Sequence, residues 1–89
     1  MEQFGKNLVR YRKLSGLSQE EVAFGASLHR THIGMLERGF RMPRADTIVK
    51  LAAVLEVSAD ELLEGITWKP GSVRFGQFRE TDPPETEAG

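Results

Sequence analysis

The chain has no cysteine, which excludes a disulfide framework and a thiolate metal site. That absence fits a reducing compartment, and we read the protein as cytoplasmic. No apolar run approaches the roughly 18 residues that a membrane-crossing helix needs. The opening MEQFGKNLVRYRK also has no uninterrupted hydrophobic segment, so neither a membrane span nor a secretory signal is expected. Chemistry-bearing patterns are missing as well. There is no Ser/His/Asp or Cys/His arrangement and no glycine loop to cradle a phosphate, and 89 residues can bury one small core but no deep enzyme pocket. His29 and His32 stand three residues apart, but two histidines without a carboxylate or thiolate at helical spacing make a poor metal site. An enzyme, a metal and a cofactor are therefore not expected.

An excess of positive charge is also lacking, since the whole chain carries −1. Residues 80–89 (ETDPPETEAG) hold four acids and no base, and without them nine acids face twelve Lys and Arg, a balance of +3. The sign of the folded part, not of the whole chain, is what a polyanionic partner meets.

What is present is helical spacing. Phe4, Leu8, Tyr11 and Leu14 fall at steps of three and four, which predicts a helix over 2–14 stopped by Ser15 and Gly16. Ser18-Gln19-Glu20-Glu21 is a capping box that predicts a helix over 19–26, with Leu17 and Val22 as a hydrophobic staple. A third helix is predicted over 30–38, ending at Gly39. A fourth runs over 44–55, burying Ile48, Leu51, Ala52 and Leu55. A fifth runs over 59–64, opened by the box Ser58-Ala59-Asp60-Glu61 with Val57 and Leu62 as staple and closed by Gly65. The fold class is all-α, a five-helix bundle with tight loops. Arg10, Lys13 and Lys6 read as a solvated face of the first helix, and Glu20, Glu21 and Glu56 as capping or surface groups.

Within this bundle, Gln19–Arg38 carries the spacing of a helix-turn-helix. Ala23 is small where two helices cross, Val22, Leu28, Ile33 and Leu36 are apolar where the unit meets a core, and Ala26–His29 forms the turn. Such a unit presents its second helix to the major groove of DNA. After the bundle, residues 66–79 (ITWKPGSVRFGQFR) concentrate Trp68, Phe75 and Phe78 among β-compatible residues and read as an extended arm holding a short strand or hairpin. Those aromatics are expected in arm packing or a dimer interface. Residues 80–89, acidic and without large apolar groups, read as a disordered tail.

Residues 4–64 resemble the lambda-repressor-like helix-turn-helix regulators, the Cro/C1 type, also called xenobiotic-response-element type. The resemblance rests on Phe4-Gly5, Leu8, Tyr11-Arg12, Gly16-Leu17-Ser18-Gln19-Glu20, Ile33, Leu36-Glu37-Arg38-Gly39, Pro43, Thr47, Lys50-Leu51-Ala52, Val57-Ser58 and Glu61-Leu62-Leu63. It implies that residues 1–65 are a DNA-binding domain in which helix 30–38 reads base edges. By position, Arg30 forks onto guanine, Thr31 bonds a base edge or touches a thymine methyl, and Met35 makes apolar contact with thymine methyls. Gly34 lacks a side chain where bulk would prevent close approach to a neighbouring helix or to DNA. Ser18, Gln19, His29, His32, Arg38, Arg41 and Arg44 are implied phosphate contacts, with Gln19 also buttressing the reading helix. Arg12 and Glu37 are implied to form a partly buried ion pair of structural importance.

Ser27 stands where the family commonly has glycine, because the inter-helix turn needs φ > 0, at a cost of roughly 1 kcal/mol. Gly25 offers an alternative, ending the second helix early and shifting the turn. The unshifted register keeps Leu28 at the apolar turn position and Ile33 inward. The implied function is a small bacterial or phage transcription regulator, binding double-stranded DNA at a palindromic operator as a homodimer. Phage repressors, restriction-modification controllers, antitoxins and regulators of specialised metabolism all share the pattern. A second class, a protein-interaction module recruiting a toxin or the transcription machinery through the arm, is the alternative.

Overall fold

Caps and left-handed turns set the limits of nearly every helix. The computed structural model describes residues 1–71 and 76–80, with α1 (Glu2–Leu14), α2 (Gln19–Gly25), α3 (Arg30–Glu37), α4 (Ala45–Leu55), α5 (Ala59–Leu62), β1 (Ile66–Lys69) and β2 (Gln77–Glu80). Both capping boxes form. Ser18 Oγ accepts from the Glu21 N–H at 3.0 Å while Glu21 Oε1 accepts from the Ser18 N–H at 2.8 Å, and Ser58 and Glu61 repeat the pattern at 3.1 and 2.9 Å. Each such cap stabilises its helix by about 1 kcal/mol.

The turn between α2 and α3 keeps the unshifted register. α2 stops at Gly25, one residue short of the expected end, and the left-handed residue is Ser27 at φ 56°. The Leu28 N–H closes the turn on the Ala23 carbonyl at 2.8 Å. Gly25 serves packing instead, since a Cβ there would lie 3.0 Å from a Val54 methyl on α4. The other helix ends also differ by a residue or two. α3 ends at Glu37, α4 begins at Ala45 with Arg44 as its N-cap, and α5 is a single turn to Leu62.

The core joins Phe4, Leu8, Val22, Ala23, Ala26, Ile33, Leu36, Leu51, Ala52, Leu55 and Leu62, with Tyr11, Leu17, Leu28, Ile48, Val57 and Ile66 packed around it. Leu14 does not join them and is 75% exposed. Counted along the helix it lies about 120° round from Leu8, off the apolar stripe. α1 meets the end of α3 at Gly5, where a Cβ would stand 2.5 Å from the Glu37 carbonyl oxygen and 2.6 Å from that of Leu36. Only a glycine lets the two backbones approach this closely.

The strands β1 and β2 form an antiparallel pair with Trp68 opposite Phe78 and Ile66 opposite Glu80. The two rings meet edge to face, centroids 5.0 Å apart. Glu80, read as the start of the tail, is therefore the last residue of β2; pairing with Ile66 outweighs the acidic composition that follows it. Phe75 and residues 81–89, with the packing and disorder expected of them, lie outside the described residues.

Candidate nucleic-acid interface

α3 turns its apolar residues inward and its polar ones out. Ile33 and Leu36 are fully buried, while Arg30 and Thr31 are exposed and Gly34 and Met35 are half-buried. This follows from helical spacing, because residues three and four apart share a face. Arg30, Thr31 and Gly34 line one open depression of about 280 Å³, together with Gln19, Glu37 and Arg38. Met35 does not line it. No neighbouring helix approaches Gly34, since a Cβ there would meet only the Arg38 guanidinium, at 3.9 Å.

Glu37 fixes α3 to the rest of the bundle. Arg12 on α1 donates through Nε to Glu37 Oε2 at 2.5 Å and through Nη2 to Oε1 at 3.3 Å, and its Nη1 donates to the Leu17 carbonyl at 3.1 Å. Gln19 Nε2 donates to the same Oε1 at 2.8 Å. Both partners of the pair are largely withdrawn from solvent, with side chains 14% and 6% exposed. Glu37 is thereby neutralised where it borders the depression, and the buttress expected of Gln19 is this bond.

The remaining polar positions surround that face. Ser18 uses its Oγ lone pair within the capping box, leaving the hydroxyl proton to donate outward. His29 holds the N-cap position of α3 but makes no side-chain cap bond, and its imidazole is exposed. His32 is half-buried; burial first, and then the charge of Arg41, hold its imidazole below the ordinary value of 6.5. It meets a neutral solution as an uncharged N–H donor, not a cation. Arg38, Arg41 and Arg44 are exposed around the end of α3 and the following loop. Arg44 has a solvent-exposed partner in Asp46 at 3.4 Å, a pair of little energetic weight.

Two groups of contacts lay beyond sequence reasoning. Phe40 faces Arg38, with the guanidinium carbon 5.2 Å from the ring centroid; an aromatic two residues after an arginine at a helix end was the available signal. Arg10, read as solvated, is exposed and also donates to Glu64 at 2.7 Å and to the Tyr11 hydroxyl at 2.9 Å, and Tyr11 donates to the same Glu64 oxygen. The hydrogen bond to Tyr11 foremost raises Arg10 above its ordinary value, and burial foremost raises Tyr11. Nearby, Asn7 donates to the carbonyls of Leu62 at 2.9 Å and Glu64 at 2.8 Å. No local pattern marks a pairing across more than fifty residues, and this cluster lashes α1 to the end of α5 away from α3.

An outward helix carrying a fork donor and a hydroxyl, clamped from behind by an ion pair, defines a helix-turn-helix DNA-binding module. Comparison with known proteins agrees: the helix-turn-helix family model matches residues 8–62, and the chain belongs to that family. It is 40% identical over 62 residues to the control protein C.SmaI of Serratia marcescens, covering 70% of this chain and 74% of that one. The crystal structure of the restriction-modification controller protein C.AhdI from Aeromonas hydrophila shares 42% identity at a TM-score of 0.66, covering 67% of this chain and 91% of that one. The DNA-binding domain of the P22 C2 repressor, at 24% identity and a TM-score of 0.67 over 70% of this chain and 82% of that one, bears on the fold alone. The fold is the five-helix lambda-repressor-like one, and the protein is a DNA-binding transcription regulator. Among the described residues no helix is long and apolar enough to cross a membrane.

Proposed function

We propose that the protein is a sequence-specific regulator of the restriction-modification controller kind, acting in the cytoplasm as a homodimer on a palindromic operator. The observation that carries this reading is the outward face of α3, where Arg30 and Thr31 stand exposed over buried Ile33 and Leu36. Arg30 offers a guanidinium to guanine O6 and N7, Thr31 a hydroxyl and a methyl, and Met35 an apolar flank for a thymine methyl. Gly34 adds no side chain of its own to this face. Ser18, Gln19, His29, His32, Arg41 and Arg44 form the surrounding set that contacts phosphate and sets the register of docking. The similarity to C.SmaI and C.AhdI supports the assignment to restriction-modification control.

The test is selection of bound duplexes from a random library, followed by titration of the selected site against salt. A twofold site is expected, with half-sites about one helical turn apart. Affinity should fall by roughly 10³–10⁵ between 50 and 200 mM salt if six to ten phosphates are contacted. Absence of any sequence preference at every salt concentration would reject the reading.

A further inference from the structure

Arg38 follows the last residue of α3, and two contacts and one open position set where its guanidinium goes. Nε donates to the Gly34 carbonyl at 3.3 Å. One Nη nitrogen lies 3.9 Å from the point where a Gly34 Cβ would stand. The face of Phe40 covers the guanidinium carbon at 5.2 Å. Side chains at the end of a helix lean back toward its N-terminus, so a residue four positions on covers the bare backbone of Gly34. Arg38 consequently shares the depression with Arg30 and Thr31, whereas Arg41 and Arg44 do not line it.

We infer that Arg38, the C-cap of α3, is a second base-reading arginine, held by the Gly34 carbonyl and backed by Phe40, and not one of the phosphate clamps. This rests on α3 being the reading helix. With Nε engaged on the Gly34 carbonyl, Nη1 and Nη2 remain as an end-on pair of donors, the geometry that spans O6 and N7 of a guanine. Phe40 limits the swing of the guanidinium plane, so the fork is held before DNA arrives. A Cβ at Gly34 would only touch one Nη nitrogen, at 3.9 Å, so a side chain longer than that of alanine is needed to displace the guanidinium.

The experiment is the same duplex selection, made with the intact chain and with Arg38→Ala, Arg38→Lys and Gly34→Gln, each first checked for an unchanged melting temperature. Arg38→Lys keeps the charge and loses only the fork. Base reading predicts that all three variants lose preference at one and the same position of each half-site. Affinity for the selected site should fall about 5- to 150-fold, with little change on duplexes already altered at that position. A uniform loss for Arg38→Ala across all sequences, with the salt slope reduced by about one and full binding retained by Arg38→Lys, would identify a phosphate clamp and overturn the inference. Unchanged preference in every variant would overturn it too. No preference in the intact chain would remove the reading helix itself, an outcome distinct from the other two.

Discussion

Glu37 holds one oxygen toward Arg12 and the other toward both Arg12 and Gln19, so a single carboxylate joins α1, α2 and α3. Removing its charge leaves the Arg12 guanidinium largely desolvated with no counter-ion. Glu37→Gln should therefore cost about 3 kcal/mol, the penalty of an orphaned buried charge. The double change Arg12→Met, Glu37→Leu should recover most of that loss, because matched apolar groups need no desolvation to be repaid. Denaturant titration of the single and double variants checks both values. Loss of DNA binding in the single variant would then report the fold and not a lost contact. His32 gives a pH dependence of known sign. Its folded value lies below 6.5, so as pH falls through 6.5 the unfolded chain takes up the proton first and the fold loses stability. The melting temperature of the intact protein relative to His32→Gln should accordingly drop between pH 7.5 and pH 5.5. An equal gap at both pH values would show that burial and Arg41 leave this imidazole unperturbed.

At the scale of elements, what the sequence makes legible is what local chemistry decides. The two capping boxes are four-residue patterns whose bonds close within themselves, and both form as the spacing predicts. The inward set Ile33 and Leu36 follows from helical period alone, and so does the outward placement of Arg30 and Thr31. The reading fails where the deciding partner is remote. Arg10 finds Glu64 through the packing of α1 on α5, whereas Leu14 fails for a local reason, its step from Tyr11 carrying it off the stripe. Gly5 stands in the family pattern with no stated reason, which only the 2.5 Å approach of the Glu37 carbonyl supplies. Left-handed residues are legible when they are glycine, as at Gly16, Gly39 and Gly65, and hidden when they are not. Glu56 ends α4 at φ 57° although nothing in Leu55-Glu56-Val57 announces it, and Ser27 is visible only through the family's glycine. Ser27→Gly should relieve the left-handed strain and raise stability by up to about 1 kcal/mol, less the added freedom of the unfolded chain. Thermal melting of that variant decides it, and a lower melting temperature would mean that the serine side chain contributes more than its backbone costs.

The molecule as a whole has to place two copies of α3 on two half-sites if its operator is twofold, and that requires a contact between the two copies. The pair β1–β2 is too small to be stable by itself, since a two-stranded hairpin in water is marginal and needs an apolar face to lean on. Trp68 and Phe78 remain 54% and 52% exposed even while stacked on each other. They border an open groove of about 370 Å³ with Met42, Ile48, Leu63 and Ile66, continuous with the loop that follows α3. A second copy seated there would bury the two aromatics and make dimer formation, hairpin order and operator spacing one linked property. Well below the dimer dissociation constant, the double change Trp68→Ser, Phe78→Ser should leave the melting temperature of the helical bundle nearly unchanged, because neither ring belongs to its core. The dimer dissociation constant should rise about thirtyfold or more, the effect of losing an aromatic anchor worth roughly 2 kcal/mol or above. DNA binding should then become steeply dependent on protein concentration while single half-sites are bound as before. Sedimentation equilibrium of the full chain measures the first effect and half-site titration the second. An undiminished dimer in the double variant would place the twofold contact elsewhere on the bundle.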